Sequence, residues 1–107
     1  MPEQRRHKRS RILWTCLVLH GPAILTIDAV IRDATNHGAR VKLATQTPLL
    51  EPVHLLIANK NKLLRCTVEW TKDDEAGLEF AEEISLQDPS TPLQRVARRL
   101  WLERTAR

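Results

Sequence analysis

With 107 residues, 42% of them hydrophobic, the chain has room for one domain around one modest core. No apolar run approaches the roughly 18 residues that span a bilayer, and nothing resembles a signal peptide, so a soluble cytoplasmic protein without membrane contact is expected. The formal charge of +4 is unevenly spread: residues 1–11 carry five Arg or Lys against one Glu, residues 90–107 again five against one, and the segment between is acidic. Basic ends on an acidic middle point to an anionic partner at the ends; a solvated tail and a helix with an exposed arginine face would look the same.

The first eleven residues, "MPEQRRHKRSR", have no apolar side chain except Met1 and are predicted to form a flexible basic arm. From 12 to 84 the pattern is mostly of period two. "ILWTCLVLH" is an apolar run closed by the turn signal Gly21-Pro22, and "AILTIDAVIR" sets Leu25, Ile27, Ala29 and Ile31 on one strand face. "ARVKL" turns Ala39, Val41 and Leu43 inward and Arg40 and Lys42 outward. "VHLLIA" follows a loop with two prolines, and "NKNK" reads as a polar turn. "LLRCTVEW" alternates Leu64, Cys66, Val68 and Trp70 with polar residues, "TKDDEAG" reads as a polar loop, and "LEF" returns with Leu78 and Phe80 on one face. Six short strands suggest an all-β antiparallel sandwich or small barrel, and closure suits a small chain because it leaves no unpaired edge.

The period changes after residue 84. Ser90 or Thr91 is the expected N-cap and Pro92 stands near the first helical position of a helix over 90–106. Leu93, Val96, Ala97, Leu100 and Trp101 form one stripe, with Arg95, Arg98 and Arg99 falling away from it. The stripe packs on the barrel or on a second copy of the chain, which would make a homodimer. Cys16 and Cys66 read as buried, reduced core residues, Trp14 and Trp70 as core, and Trp101 as helix docking or a partner surface. The four histidines show no metal-ligand pairing, so no metal is expected.

One stretch carries more than fold. In "DATNHGAR", Asn36-His37-Gly38 is ordinary turn chemistry, and Asp33 and Thr35 taken alone are turn residues too. Upstream, however, lies Arg5-x-x-x-Arg9, immediately ahead of the first strand. The pair Arg5-x-x-x-Arg9 and Asp33-x-Thr35-x-x-Gly38, with "VEW…GLEF" later, resembles the PilZ domain, the bacterial receptor for cyclic di-GMP. The resemblance covers roughly residues 5 to 84, with the helix consistent in position, and departs from the family pattern at Thr35, where serine is usual. It implies a six-stranded PilZ-type antiparallel β-barrel followed by a C-terminal α-helix, with domain limits of 1–11 for the arm, 12–84 for the barrel and 90–106 for the helix. It also implies a cyclic di-GMP site at Arg5, Arg9, Asp33, Thr35 and Gly38, with Arg6, Lys8 and Arg40 as secondary contacts.

The chemistry fits that ligand on its own terms. Arginine's planar fork matches the adjacent N7 and O6 acceptors of guanine, and pairs with phosphate or stacks on a base. A carboxylate at Asp33 accepts from the guanine N1–H and amino group, Thr35 adds a hydroxyl, and Gly38 permits a positive φ and removes a Cβ where ligand and backbone crowd. Catalysis is not expected, because no nucleophile stands beside a base and no phosphate loop or metal spacing is present. A small basic barrel that binds nucleic acid is the competitor. An aromatic content of 4% argues against it, since base-stacking platforms need exposed rings. A barrel serving only protein interaction is the third reading. As a lone receptor domain the chain needs a downstream protein partner.

Overall fold

A computed structural model of the protein describes residues 11–105. Six strands run in chain order: β1 (Arg11–His20), β2 (Leu25–Ala34), β3 (Gly38–Leu43), β4 (Val53–Ile57), β5 (Lys62–Lys72) and β6 (Glu75–Ile84). They close into an antiparallel barrel in the order β1-β2-β3-β6-β5-β4. One helix follows, α1 (Pro92–Thr105). No helix among the described residues is long and apolar enough to cross a membrane.

Two apolar clusters explain the hydrophobic pattern. Val18, Ile31, Val41, Val53, Leu55 and Leu78 fill the barrel interior with almost no exposure. Leu17, Leu19, Leu56 and Leu63 point outward and are covered by α1 through Leu93, Val96, Ala97, Leu100 and Trp101. Strands β1 and β4 are thus buried on both faces. That is why "ILWTCLVLH" and "VHLLIA" are continuous apolar runs rather than alternating ones. The stripe on α1 docks on its own barrel, and each fully covered leucine removes enough apolar area to contribute about 1.5–3 kcal/mol.

Polar contacts set the position of α1. Thr91 is the N-cap: its hydroxyl accepts from Gln94 N at 3.1 Å, while Gln94 Oε1 accepts from Thr91 N at 3.1 Å, a reciprocal capping box. Gln94 Nε2 also donates to the Ser85 carbonyl at 3.1 Å. Trp101 Nε1 donates to Asn61 Oδ1 at 2.8 Å, tying the far end of the helix to the corner between β4 and β5. Arg98, expected to face solvent, instead donates from Nη1 to the Leu86 carbonyl at 2.8 Å, because the connection from β6 passes beneath it.

Three further expectations change. The polar stretch "TKDDEAG" is not a loop: β5 runs to Lys72, β6 starts at Glu75, and only Asp73 and Asp74 turn, with Asp73 at φ 56°. Aspartate is among the few residues that tolerate this backbone, so the hairpin closes in two residues. Leu25, set on one strand face with Ile27, Ala29 and Ile31, is half exposed while Ala29 and Ile31 are buried, because it opens β2 at the rim of the barrel. Trp70 is not core. The β5–β6 register shifts between Val68 and Trp70, so Glu69 is an extra residue in its strand and the following indole turns outward, 43% exposed.

The two cysteines lie free in the interior, and burial pushes both thiols up to about 12, which leaves them inert as nucleophiles. His54 is buried on β4 among residues that include Leu19 and Leu93. Burial, and then the Arg65 charge, hold its pKa below the ordinary 6.5. The unfolded chain therefore takes up a proton first as the pH falls. The stability contributed by a neutral His54 is fully present above 6.5 and is lost as the pH drops below it toward the folded value. Thermal melts followed from neutral pH down through this window should show a falling melting temperature, and His54→Gln should flatten the slope.

Candidate ligand site

The hairpin joining β2 to β3 is built by its own backbone. Thr35 N donates to the Gly38 carbonyl at 2.8 Å, and His37 N donates to Thr35 Oγ1 at 3.1 Å. A third bond, from Phe80 N to the His37 carbonyl at 2.7 Å, fastens the turn to β6. Thr35 keeps its hydroxyl exposed with a proton left to donate. The extra methyl that distinguishes it from serine is accommodated at an exposed position.

Of the two reasons the sequence offered for Gly38, backbone crowding holds and a positive φ does not. Gly21, not Gly38, is the glycine with a positive φ. A Cβ at Gly38 would overlap the Leu78 carbonyl oxygen, and Glu79 Cα would stand 3.3 Å away. Here β3 and β6 approach so closely, at the Gly38–Glu79 pair, that only hydrogen fits.

Asp33 and Arg40 are paired across β2 and β3. Arg40 Nε and Nη2 donate to Asp33 Oδ2 at 3.1 and 2.9 Å, and Arg40 Nη1 donates to both Glu75 oxygens at 3.2 Å. The hydrogen bond to Asp33, above all, holds the Arg40 guanidinium more firmly protonated than usual. Asp33, Thr35, Gly38 and Arg40 together line an open depression of about 450 Å3 on the outer barrel wall. The structure thus brings four of the expected residues to one place. Arg5, Arg6, Lys8 and Arg9 lie outside the described residues. The backbone register is informative all the same: Arg11, the first residue of β1, is the partner of Asp33.

A family model of the PilZ domain matches residues 3–98. The chain belongs to the PilZ domain family. PilZ domains are cyclic di-GMP-binding modules, and the match spans most of the arm, the whole barrel and half of the helix. No curated protein matches the chain.

Several residues of this PilZ depression were missed in the sequence. Trp70 lies over Gly77, where a Cβ would fall inside the indole, and leaves its ring on the wall of the site. Glu69 and Glu79 stand beside it; Glu79, sharing a hydrogen bond with Glu69, holds that carboxyl above the usual glutamate range. Only the bulge at Glu69 brings these side chains together, and no local pattern announces a bulge. Next to the depression, at the barrel mouth, is a second cavity of about 580 Å3. Thr35 and Asn36 line it together with Trp14, Lys60 and Lys62. Trp14 is partly buried and packs against the barrel core, and Lys60 Nζ sits 4.5 Å above its ring.

Proposed function

We propose that this PilZ domain is a cyclic di-GMP receptor whose site is completed by Arg5 and Arg9 of the N-terminal arm. The observation that carries this reading is the register of β1, which starts opposite Asp33. Arg9 is two residues upstream of Arg11, so chain connectivity keeps its Cα within about 7 Å of the strand end. Any arm leaving β1 starts at the rim of the depression. A dianionic ligand seated there meets the arginine forks, which pair with phosphate or with guanine N7 and O6. Asp33 accepts from the guanine N1–H and amino group, Thr35 donates its hydroxyl, and Trp70 offers a ring face for stacking. Arg6 and Lys8 add positive field around the phosphates, while Arg40 stays engaged with Asp33 and Glu75. The role is binding rather than catalysis, with no cofactor. A protein partner reads the surface that changes when the ligand draws the arm onto the barrel.

Titration of the full chain with cyclic di-GMP, with GMP as control, tests this. Saturable binding at micromolar concentration or tighter, about −8 kcal/mol, is the expected result. Asp33→Ala should weaken it more than tenfold, because removing a carboxylate leaves the guanine edge without its acceptor. Its melting temperature should change little, since a partly exposed ion pair contributes little to stability. A wild-type chain that discriminates nothing between cyclic di-GMP and GMP would overturn the reading. So would Asp33→Ala unfolding the barrel, which would make the acid structural.

A further inference from the structure

The arginine between two carboxylates carries a further assignment, which rests on the receptor reading. Arg40 engages all three guanidinium nitrogens: Nε and Nη2 hold Asp33 Oδ2, and Nη1 is gripped by both oxygens of Glu75. Within residues 14–105 no hydrogen bond reaches Asp33 Oδ1, and Asp33 and Arg40 both line the depression. Glu75 is not among the residues lining it, and its side chain is 29% exposed. It opens β6, on the far side of the guanidinium from Asp33.

We propose that Glu75 is a positioning residue for guanine recognition: by fixing Arg40 it locks the Asp33 carboxylate in one orientation and leaves Oδ1 to face the base. A carboxylate held by a single swinging arginine samples several rotamers, and ligand binding must then order it at an entropic cost. Clamping the arginine from behind removes that cost before the ligand arrives. Arginine rather than lysine is needed, because only a planar fork can hold two carboxylates in fixed relation.

The test measures affinity for cyclic di-GMP and for its inosine analogue, which lacks the guanine amino group. Wild type, Glu75→Gln, Asp33→Asn and the double variant are compared. Glu75→Gln should weaken cyclic di-GMP binding about fivefold, in the range of coupling between contacting residues, and narrow the preference over the inosine analogue. In the Asp33→Asn background Glu75→Gln should change nothing further. Glu75→Asp, which keeps the charge, should recover most of the lost affinity, and Arg40→Lys should lose as much as Glu75→Gln. Melting temperatures report whether each variant is folded. Unchanged affinity in folded Glu75→Gln, or an equal loss in both backgrounds, overturns the positioning role while leaving the receptor reading intact. Failure of the wild type to bind removes the receptor reading itself and this role with it.

Discussion

Arg9→Ala is expected to reduce cyclic di-GMP affinity by well over tenfold, and Arg5→Ala to do the same, with the barrel left intact. A charge-assisted hydrogen bond is worth about 1.5–3 kcal/mol, and 1.4 kcal/mol is already tenfold. Both arginines precede β1 in the chain, and a charged side chain adds little to an apolar core. Melting temperatures should therefore stay within about 3 °C of wild type, as for surface changes in a chain of this size. Lysine substitutions sharpen the result. A lysine restores charge but not the planar fork, so Arg9→Lys should stay far below wild type if the arginine reads a guanine edge. It should recover much of the affinity if only phosphate charge is needed. Isothermal titration alongside thermal melts separates the outcomes, and normal binding by both alanine variants would take the arm out of the site.

Gly38→Val should damage fold and site together. The new Cβ collides with the Leu78 carbonyl, which is backbone in a paired strand and has no flexible end to move. Strand β3 must pull away from β6, and the bond from Phe80 N to the His37 carbonyl that holds the turn is strained with it. Overpacking of this kind costs about 1–3 kcal/mol, which in a domain of this size lowers the melting temperature by about 10 °C. Ligand affinity should fall as well, because Asp33 and Arg40 are paired across the same hairpin. The cause is testable against the alternative. Had Gly38 been needed for a positive φ, asparagine would substitute well, since it tolerates that backbone. Close approach predicts instead that Gly38→Asn and Gly38→Ala both lose stability, and a melting temperature near wild type for Gly38→Asn would refute it.

Most of the fold was legible because it is written in local chemistry. Alternation along 12–84, turn residues between the runs and the change to helical spacing after 90 depend on neighbouring residues alone. The Arg5-x-x-x-Arg9 and Asp33-x-Thr35-x-x-Gly38 spacings likewise lie in the chain, and they pointed to the family to which it belongs. Misreadings arose where a long-range pairing overruled the local pattern. The polar hairpin at 71–77 is strand because its backbone finds partners across the ladder, which side-chain polarity does not report. Trp70 continued an apolar alternation perfectly, yet one unpaired residue at Glu69 reversed every side chain after it. Gly38 was recognised as a position where backbone crowds out a Cβ, but its positive φ was wrong and the crowding carbonyl, 40 residues away in the chain, could not be named. The grip of Glu75 on Arg40, 35 residues apart, was equally invisible. The sequence by itself determined most of the elements, the apolar faces and the spacings that point to the family, because each rests on short-range periodicity and residue chemistry. Only barrel closure decided which wall the motif shares with Trp70, Glu69 and Glu75, because register between distant strands is settled by packing and hydrogen bonding over the whole sheet.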